Sequence, residues 1–254
     1  MKQLIPCIHF YPAVQKRRLA VFGKTHINNL VFRSPCSIFA PKEVVMDILL
    51  SSAYLAPVQY YTKLAQSKDK VYIEAFDNYI KQTYRNRCII ADANGPLALT
   101  IPTEKVSQEK VLMRDIRISD HGNWRHQHWN ALEAAYRHTP FFLYYEDDFR
   151  PFYEKKIEFL YDFNMELTLM VCSLIGIEIT LYPTKEYTPT SASEDDFREI
   201  IHPKHDWKKD KSFIPQEYYQ VFKRKHGFIP NISIIDLLFN MGPESILVLH
   251  ESCR

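Results

Sequence analysis

Glycine is scarce in this chain, with six in 254 residues, and neither GxGxxG nor GxxxxGK followed by Ser or Thr occurs. The two common glycine-rich phosphate cradles are therefore excluded as routes to nucleotide binding. Cysteine is also sparse: Cys7, Cys36, Cys88, Cys172 and Cys253 are scattered, odd in number and without a CxxC pair. That pattern fits reduced thiols in cytoplasm and supports neither a disulfide framework nor a zinc cluster. Cys88 and Cys172 sit in apolar runs and read as core residues. No charge of one sign dominates, since 32 basic and 30 acidic residues leave a formal +2. The sequence thus gives no electrostatic case for nucleic acid or an anionic membrane as partner. Long apolar runs are missing too. LTLMVCSLIGI, Leu167 to Ile177, falls short of the roughly 20 residues that span a bilayer. LIPCIHFYPAV near the start is broken by two prolines and a histidine, which a signal peptide does not tolerate. A soluble, cytoplasmic protein is expected.

What is present is aromatic and apolar: 16 Tyr, 16 Phe and a 46% apolar fraction, enough for a globular core. Residues 1–45 carry a basic cluster (Lys16, Arg17, Arg18) and no sustained period, and are expected to be a poorly ordered extension. From residue 46 to 254 the chain reads as a single α/β domain. VVMDILLSSAY predicts a buried strand, and Pro57 opens a helix to about Gln66 because proline suits the first helical turn. KVYIEAF predicts a second strand, giving a Rossmann-like strand–helix–strand start. NRCIIAD and PLALTIP flank Asn94-Gly95, a two-residue hairpin signal whose turn positions favour positive φ. VLMRDIRIS is expected to be a further strand.

Asn123 is placed to cap a helix from Trp124 to about His138. A longer helix is expected within Phe149 to Ile175, ended by Gly176. IEITLYP then predicts a strand, and residues 184–212 a long loop. A last helix covers about Ile232 to Asn240, with Asn231 as its cap. Parallel and antiparallel pieces together predict an α/β fold with a mixed β-sheet flanked by helices.

The stretch FDNYIKQTYRNRCIIADANGPLALTIP, Phe76 to Pro102, concentrates charge and amide groups beside buried-strand sequence. Polar groups near a core must find partners, so this stretch points to a pocket for an anionic or polyhydroxyl ligand. Asp77 follows a buried strand, at the sheet edge where open α/β folds bind ligands. It reads equally as a base or as the ion-pair partner of Arg85 or Arg87. An inward Arg87 needs an anion, either Asp77 or a substrate phosphate or carboxylate. Asn86, on the opposite face, reads as structural.

In HGNWRHQHW, His126 and His128 point about 200° apart on a helix and cannot share one metal, so no metal site is expected. His128 shares the face of Trp124, and an imidazole with an ordinary pKa near 6.5 suits general acid–base work or a core hydrogen bond. YYEDDFRPFYEKK sets acids among aromatics, a pattern that can line a sugar site but more often marks a helix with a core face. Its Glu146, Asp147 and Asp148 suit a helix N-terminus. Asp236 lies in the apolar run SIIDLLFN, and either pairs with a buried cation or helps form the site.

AYLAPVQYY, Asp77 with TYRNR, LTIP, WRHQHW and NISIIDLLFNMG occur in this order between about Met46 and Gly242. On these motifs the chain resembles the WbqC-like family. The resemblance implies association with O-antigen and other surface-polysaccharide biosynthesis. It carries over Tyr54, Asp77, Asn86, Arg87, Thr100, Pro102, Trp124, His128, Ser233, Asp236 and Asn240. The first motif departs from the family's QPxYLPWxGYF: Ser51 and Ser52 replace Gln-Pro, Gln59 replaces the Gly, and the proline is displaced to Pro57. The reading implied is a transferase acting on a nucleotide-linked sugar by acyl or aminoacyl transfer. Asp77 and His128 would be catalytic, with Tyr54, Asn86, Arg87, Thr100, Trp124 and Asp236 binding a nucleotide sugar or similar small anionic substrate. A non-catalytic nucleotide-sugar-binding or scaffolding subunit, and nucleotidyl transfer, are the alternatives. The residues name no cofactor and no oligomeric state.

Overall fold

A strand, a helix and a second strand open the described part of the chain. The computed structural model describes residues 48–67, 70–105, 110–189 and 195–254; the expected N-terminal extension, residues 1–45, lies outside them. Strand β1 (Ile48–Ser51) pairs in parallel with β2 (Val71–Glu74), and helix α1 (Val58–Gln66) makes the crossover. Strand β5 (Leu181–Pro183) extends this sheet in parallel on the far side of β2, while β3 (Arg87–Asp92) and β4 (Gly95–Thr100) form a separate antiparallel ladder. The fold is α/β, with a small sheet flanked by helices.

Helix α1 runs through the interior, with seven of its nine residues buried, Lys63 among them. A buried ammonium must be paired. Lys63 meets Asp210 at 2.7 Å and lies over the Phe197 ring. Pro57 does precede the helix, but the cap comes from elsewhere: the Gln59 amide donates to Asn231 Oδ1 at 2.9 Å. Around it, Val58 N–H donates to the Ile232 carbonyl and Ile234 N–H to that of Ala56, while Ser233 N–H donates to the Ile89 carbonyl. A strap of four late residues therefore ties the β1–α1 loop to the hairpin. Asn231, expected to cap the helix after it, caps α1 instead.

The hairpin is present, with its turn one residue earlier than expected. Asp92 pairs with Gly95, so Ala93 and Asn94 make the turn, and only Gly95 among these has positive φ (+111°). Asp92 Oδ1 accepts the Asn94 N–H at 2.5 Å, and this side-chain contact shapes the turn without left-handed backbone at Asn94.

Three further expectations are corrected. VLMRDIRIS is no strand: Met113–Asp115 is a 3₁₀ turn, and its flanks form only isolated bridges with Asn78, Thr103 and Phe159. The longer helix expected within Phe149 to Ile175 is α4 (Leu160–Ile175), while a separate helix, α3 (Phe142–Glu154), precedes it and ends where Lys155 turns extended. Consequently Glu146, Asp147 and Asp148 lie mid-helix, and no acid occupies the first turn of α3. Helix α2 (Trp124–Tyr136) begins where expected, although Asn123 is left-handed and its side chain makes no cap. α4 ends at Gly176 as the sequence indicates. The short α5 (Lys223–His226), α6 (Ile234–Met241) and α7 (Ser245–Glu251) complete the chain, and α7 packs on α1. Among the described residues no helix is long and apolar enough to cross a membrane.

Candidate functional site

The inward face of α2 presents Trp124 and His128, four residues apart, to the loop that follows β1. That loop delivers Tyr54, held beside Leu55, a buried non-glycine residue at φ +41°. Left-handed backbone at a bulky side chain is costly and persists only where the surroundings impose it. Here the Ser233 hydroxyl donates to the Leu55 carbonyl at 2.8 Å. The Tyr54 hydroxyl lies 3.0 Å from His128 Nδ1 and 2.8 Å from the Tyr153 hydroxyl. Trp124 meets His128 edge-on, and Phe163 packs against both Tyr54 and Trp124.

Burial holds the His128 imidazole down to about 4, and the Thr100 carbonyl beside the ring pulls weakly the other way. Burial also drives the Tyr54 and Tyr153 hydroxyls well above their ordinary value. All three groups are neutral near pH 7. In the Nε2–H tautomer Nδ1 accepts from Tyr54, and Tyr153 then donates to Tyr54. The result is an uncharged hydrogen-bond chain from Tyr153 to His128.

A second, ionic cluster adjoins it. Asp77 pairs with Arg85, not with Arg87, and Arg85 also donates to Ser51 Oγ at 3.1 Å. Burial pushes the Asp77 carboxyl up while Arg85 opposes the shift. Asn164 donates to Ser52 Oγ and to the Arg85 carbonyl. Neighbouring residues of α4, Phe163 and Asn164, thus brace the neutral and the ionic cluster. Between Ser51, Ser52, Thr83, Arg85 and His202 lies a hollow of only ≈ 10 Å³, room for about one water. Asp77 and Arg85 face each other as an ion pair, and the hollow beside Arg85 is too small for a substrate. Deeper still, Arg198 binds Glu74 at 3.0 Å and Asp196 at 2.7 Å, and Thr184 donates to Glu74.

Arg87 behaves differently. It is half-buried on β3, its Nε donates to Thr100 Oγ1 at 3.1 Å, and no carboxylate among the described residues pairs with it. Asn86 donates to the Ile101 carbonyl, leaving its buried Oδ1 without a partner. Tyr54, Asn86, Arg87, Thr100, Trp124 and His128 therefore form one neighbourhood, linked through the two strands of the hairpin. Asp77 borders it through Arg85. Asp236 is apart, and among the described residues no cation pairs with it. It accepts from Tyr218 at 2.8 Å and from Gln220 at 2.9 Å, with the Tyr136 hydroxyl nearby. Burial among these neutral donors pushes its carboxyl up to about 6.

Sequence reasoning set Tyr153 among aromatics that can line a sugar site but did not foresee its bond to Tyr54, and it missed Asn164 and the Glu74–Arg198 pair. Glu74 carried a legible signal, an acid closing the apolar strand VYIE; Tyr153 carried none beyond aromatic helix spacing.

The model of the WbqC-like protein family matches residues 52–209 of the chain. A protein of Mycobacterium tuberculosis (strain ATCC 25618 / H37Rv), named uncharacterized protein Rv1507c, is 25% identical over 219 residues, covering 78% of this chain and 94% of its own length. No solved structure matches.

Proposed function

The chain belongs to the WbqC-like protein family, and from that premise we propose that it is a transferase acting on a nucleotide-linked sugar. Acyl or aminoacyl transfer during surface-glycan assembly in the cytoplasm is the reaction this reading favours. One observation carries it: the half-buried Arg87 guanidinium, beside Thr100, has no carboxylate partner among the described residues. A guanidinium held near a core is best satisfied by a bidentate anion, and the phosphates of a nucleotide sugar supply one. Thr100 connects that anchor to His128, whose neutral imidazole can accept a proton and, with its depressed affinity, pass it on. Asp77 fits a positioning role, holding Arg85 and with it the turn that sets Asn86 and Arg87.

The test is a thermal-shift screen of the full chain against nucleotide sugars, free nucleotides and acyl donors. A ligand that binds only the folded state raises its stability by about 2.7 kcal/mol at a hundredfold excess over Kd. Stabilisation by a nucleotide sugar, lost in an Arg87→Ala variant that melts like wild type without ligand, is the expected result. A shift that survives Arg87→Ala, or none with any nucleotide sugar, overturns the reading.

A second reading has its own support. His128 near 4 is a weak base at neutral pH, which suits a nucleotide-sugar-binding subunit without turnover. Tight binding with no product from any acyl donor would favour it.

A further inference from the structure

Two segments that carried unassigned signals, HGNWRHQHW and YYEDDFRPFYEKK, meet across a groove. His126, Trp129, Asn130 and Glu133 recur at helical spacing on one face of α2; Arg150, Tyr153 and Glu154 do so on α3. Between these faces lies an open cavity of ≈ 550 Å³, within the range of small-molecule sites. Beneath it lie the Trp129 and Tyr153 rings, 5.6 Å apart and both largely buried. Its walls are planar and polar. Asn130 donates to His126 at 3.0 Å, which leaves its carbonyl free to accept and one amide hydrogen free to donate.

We propose that this α2–α3 groove binds a neutral saccharide, placed over Tyr153 at the outer end of the Tyr153–Tyr54–His128 chain. Charge decides against an anion. Arg125 is committed to Asp120 at 2.6 Å and lies over the Trp124 ring. Arg150 pairs with Glu146 and reaches Glu154 at 3.9 Å while covering Trp129. Both guanidinium groups already have carboxylates, and Glu133 adds another acid to the wall, so a phosphate would find no uncommitted cation. A sugar ring needs what is present: donors and acceptors on planar groups, with the edges of two aromatic rings at the base. Tyr153 lines the groove while its hydroxyl bonds that of Tyr54, so a bound ring sits one residue from the buried chain. The inference rests on the transferase reading for the sugar's role as acceptor, and on the groove's own chemistry for its class.

The test uses the full chain with glucose, galactose and N-acetylglucosamine as neutral probes and inorganic phosphate as the anion. Binding is read by saturation-transfer NMR and by tryptophan fluorescence. At least one neutral sugar should saturate. Asn130→Ala and Glu133→Ala, both outside the buried core, should together weaken it by about tenfold or more, the loss of one to two hydrogen bonds. Melting should stay unchanged, and Arg87→Ala should bind the sugar as wild type does. Saturation by phosphate alone, absence of any saturable sugar signal, or sugar binding indifferent to the groove substitutions overturns the proposal. Because Arg87→Ala separates the two sites, failure of the groove and failure of the nucleotide-sugar reading give different patterns.

Discussion

Tyr54 and His128, 74 residues apart in sequence, meet in the core through a 3.0 Å hydrogen bond and stacked rings. Tyr54→Phe keeps the ring but removes the hydroxyl, leaving a buried imidazole nitrogen and the Tyr153 hydroxyl without partners. The expected cost is about 1–3 kcal/mol of stability in urea unfolding. Nitrogen-15 NMR of the wild-type imidazole should show a neutral ring protonated on Nε2 at pH 7. A ring protonated on Nδ1 would reverse the direction of the chain.

Asp77→Asn is expected to destabilise the fold before it affects any chemistry. It strands the Arg85 guanidinium, whose side chain is 6% exposed, and breaking a buried pair from one side costs about 3–5 kcal/mol. The double variant Asp77→Leu/Arg85→Met should recover most of that loss in chemical denaturation. If Asp77→Asn unfolds within about 1 kcal/mol of wild type, a difference too small for a broken buried pair, Asp77 returns as a candidate base.

Two buried groups give stability opposite dependences on pH. His128 binds its proton at 6.5 unfolded and at about 4 folded, so its contribution is complete above 6.5 and is lost as pH falls. Asp236 binds its proton at 3.8 unfolded and at about 6 folded, so its contribution is complete below 3.8 and is lost as pH rises. Each slope amounts to at most about 3 kcal/mol, and over pH 4 to 6 they largely cancel. Urea unfolding at pH 4.5 and 7 should show Asp236→Asn losing more stability than wild type on acidification, and His128→Gln losing less. Parallel profiles for all three proteins would refute both assignments.

Gly242 is the position where a single methyl group should do most damage. It holds φ +56°, and a Cβ there would lie 2.5 Å from the Phe141 ring. Phe141 cannot retreat easily, since its N–H donates to the Phe239 carbonyl at 3.0 Å. Gly242→Ala should cost about 2 kcal/mol or more from strain and overlap combined. Adding Phe141→Ala should remove the overlapping atoms, Cγ included, and leave the backbone penalty, as a partial recovery of melting temperature.

The parts of the fold legible in sequence are those written in local chemistry. Pro57 before α1, the apolar strands and Gly176 after α4 each act within a few residues. The misreadings arose where a distant partner decides. Leu112, Arg114, Ile116 and Ile118 alternate like a strand, yet Ile116 and Ile118 are buried through isolated bridges and backbone bonds to the segment before α4. Glu146, Asp147 and Asp148 look like a first helical turn, yet α3 starts earlier, at Phe142. Within the site, Asp77 could reach either arginine by sequence spacing; the turn before β3 brings Arg85 inward and leaves Arg87 half-exposed. The bond from Tyr153 to Tyr54 was not legible for a simple reason: a tyrosine at helical spacing looks the same whether its hydroxyl is idle or bonded.

The strap at residues 231–234 has a consequence for how the molecule is made. β1, α1 and the hairpin leave the ribosome well before Asn231 exists to cap α1 or Ser233 to bond the hairpin. Contacts of such sequence separation form late, so the nascent chain carries an unsealed α1 while the rest is translated. The same logic limits dissection. A fragment ending at 209, where the family match stops, lacks the strap and the α7 surface against α1. Such a fragment should be a proteolysed, aggregation-prone intermediate and not a minimal domain.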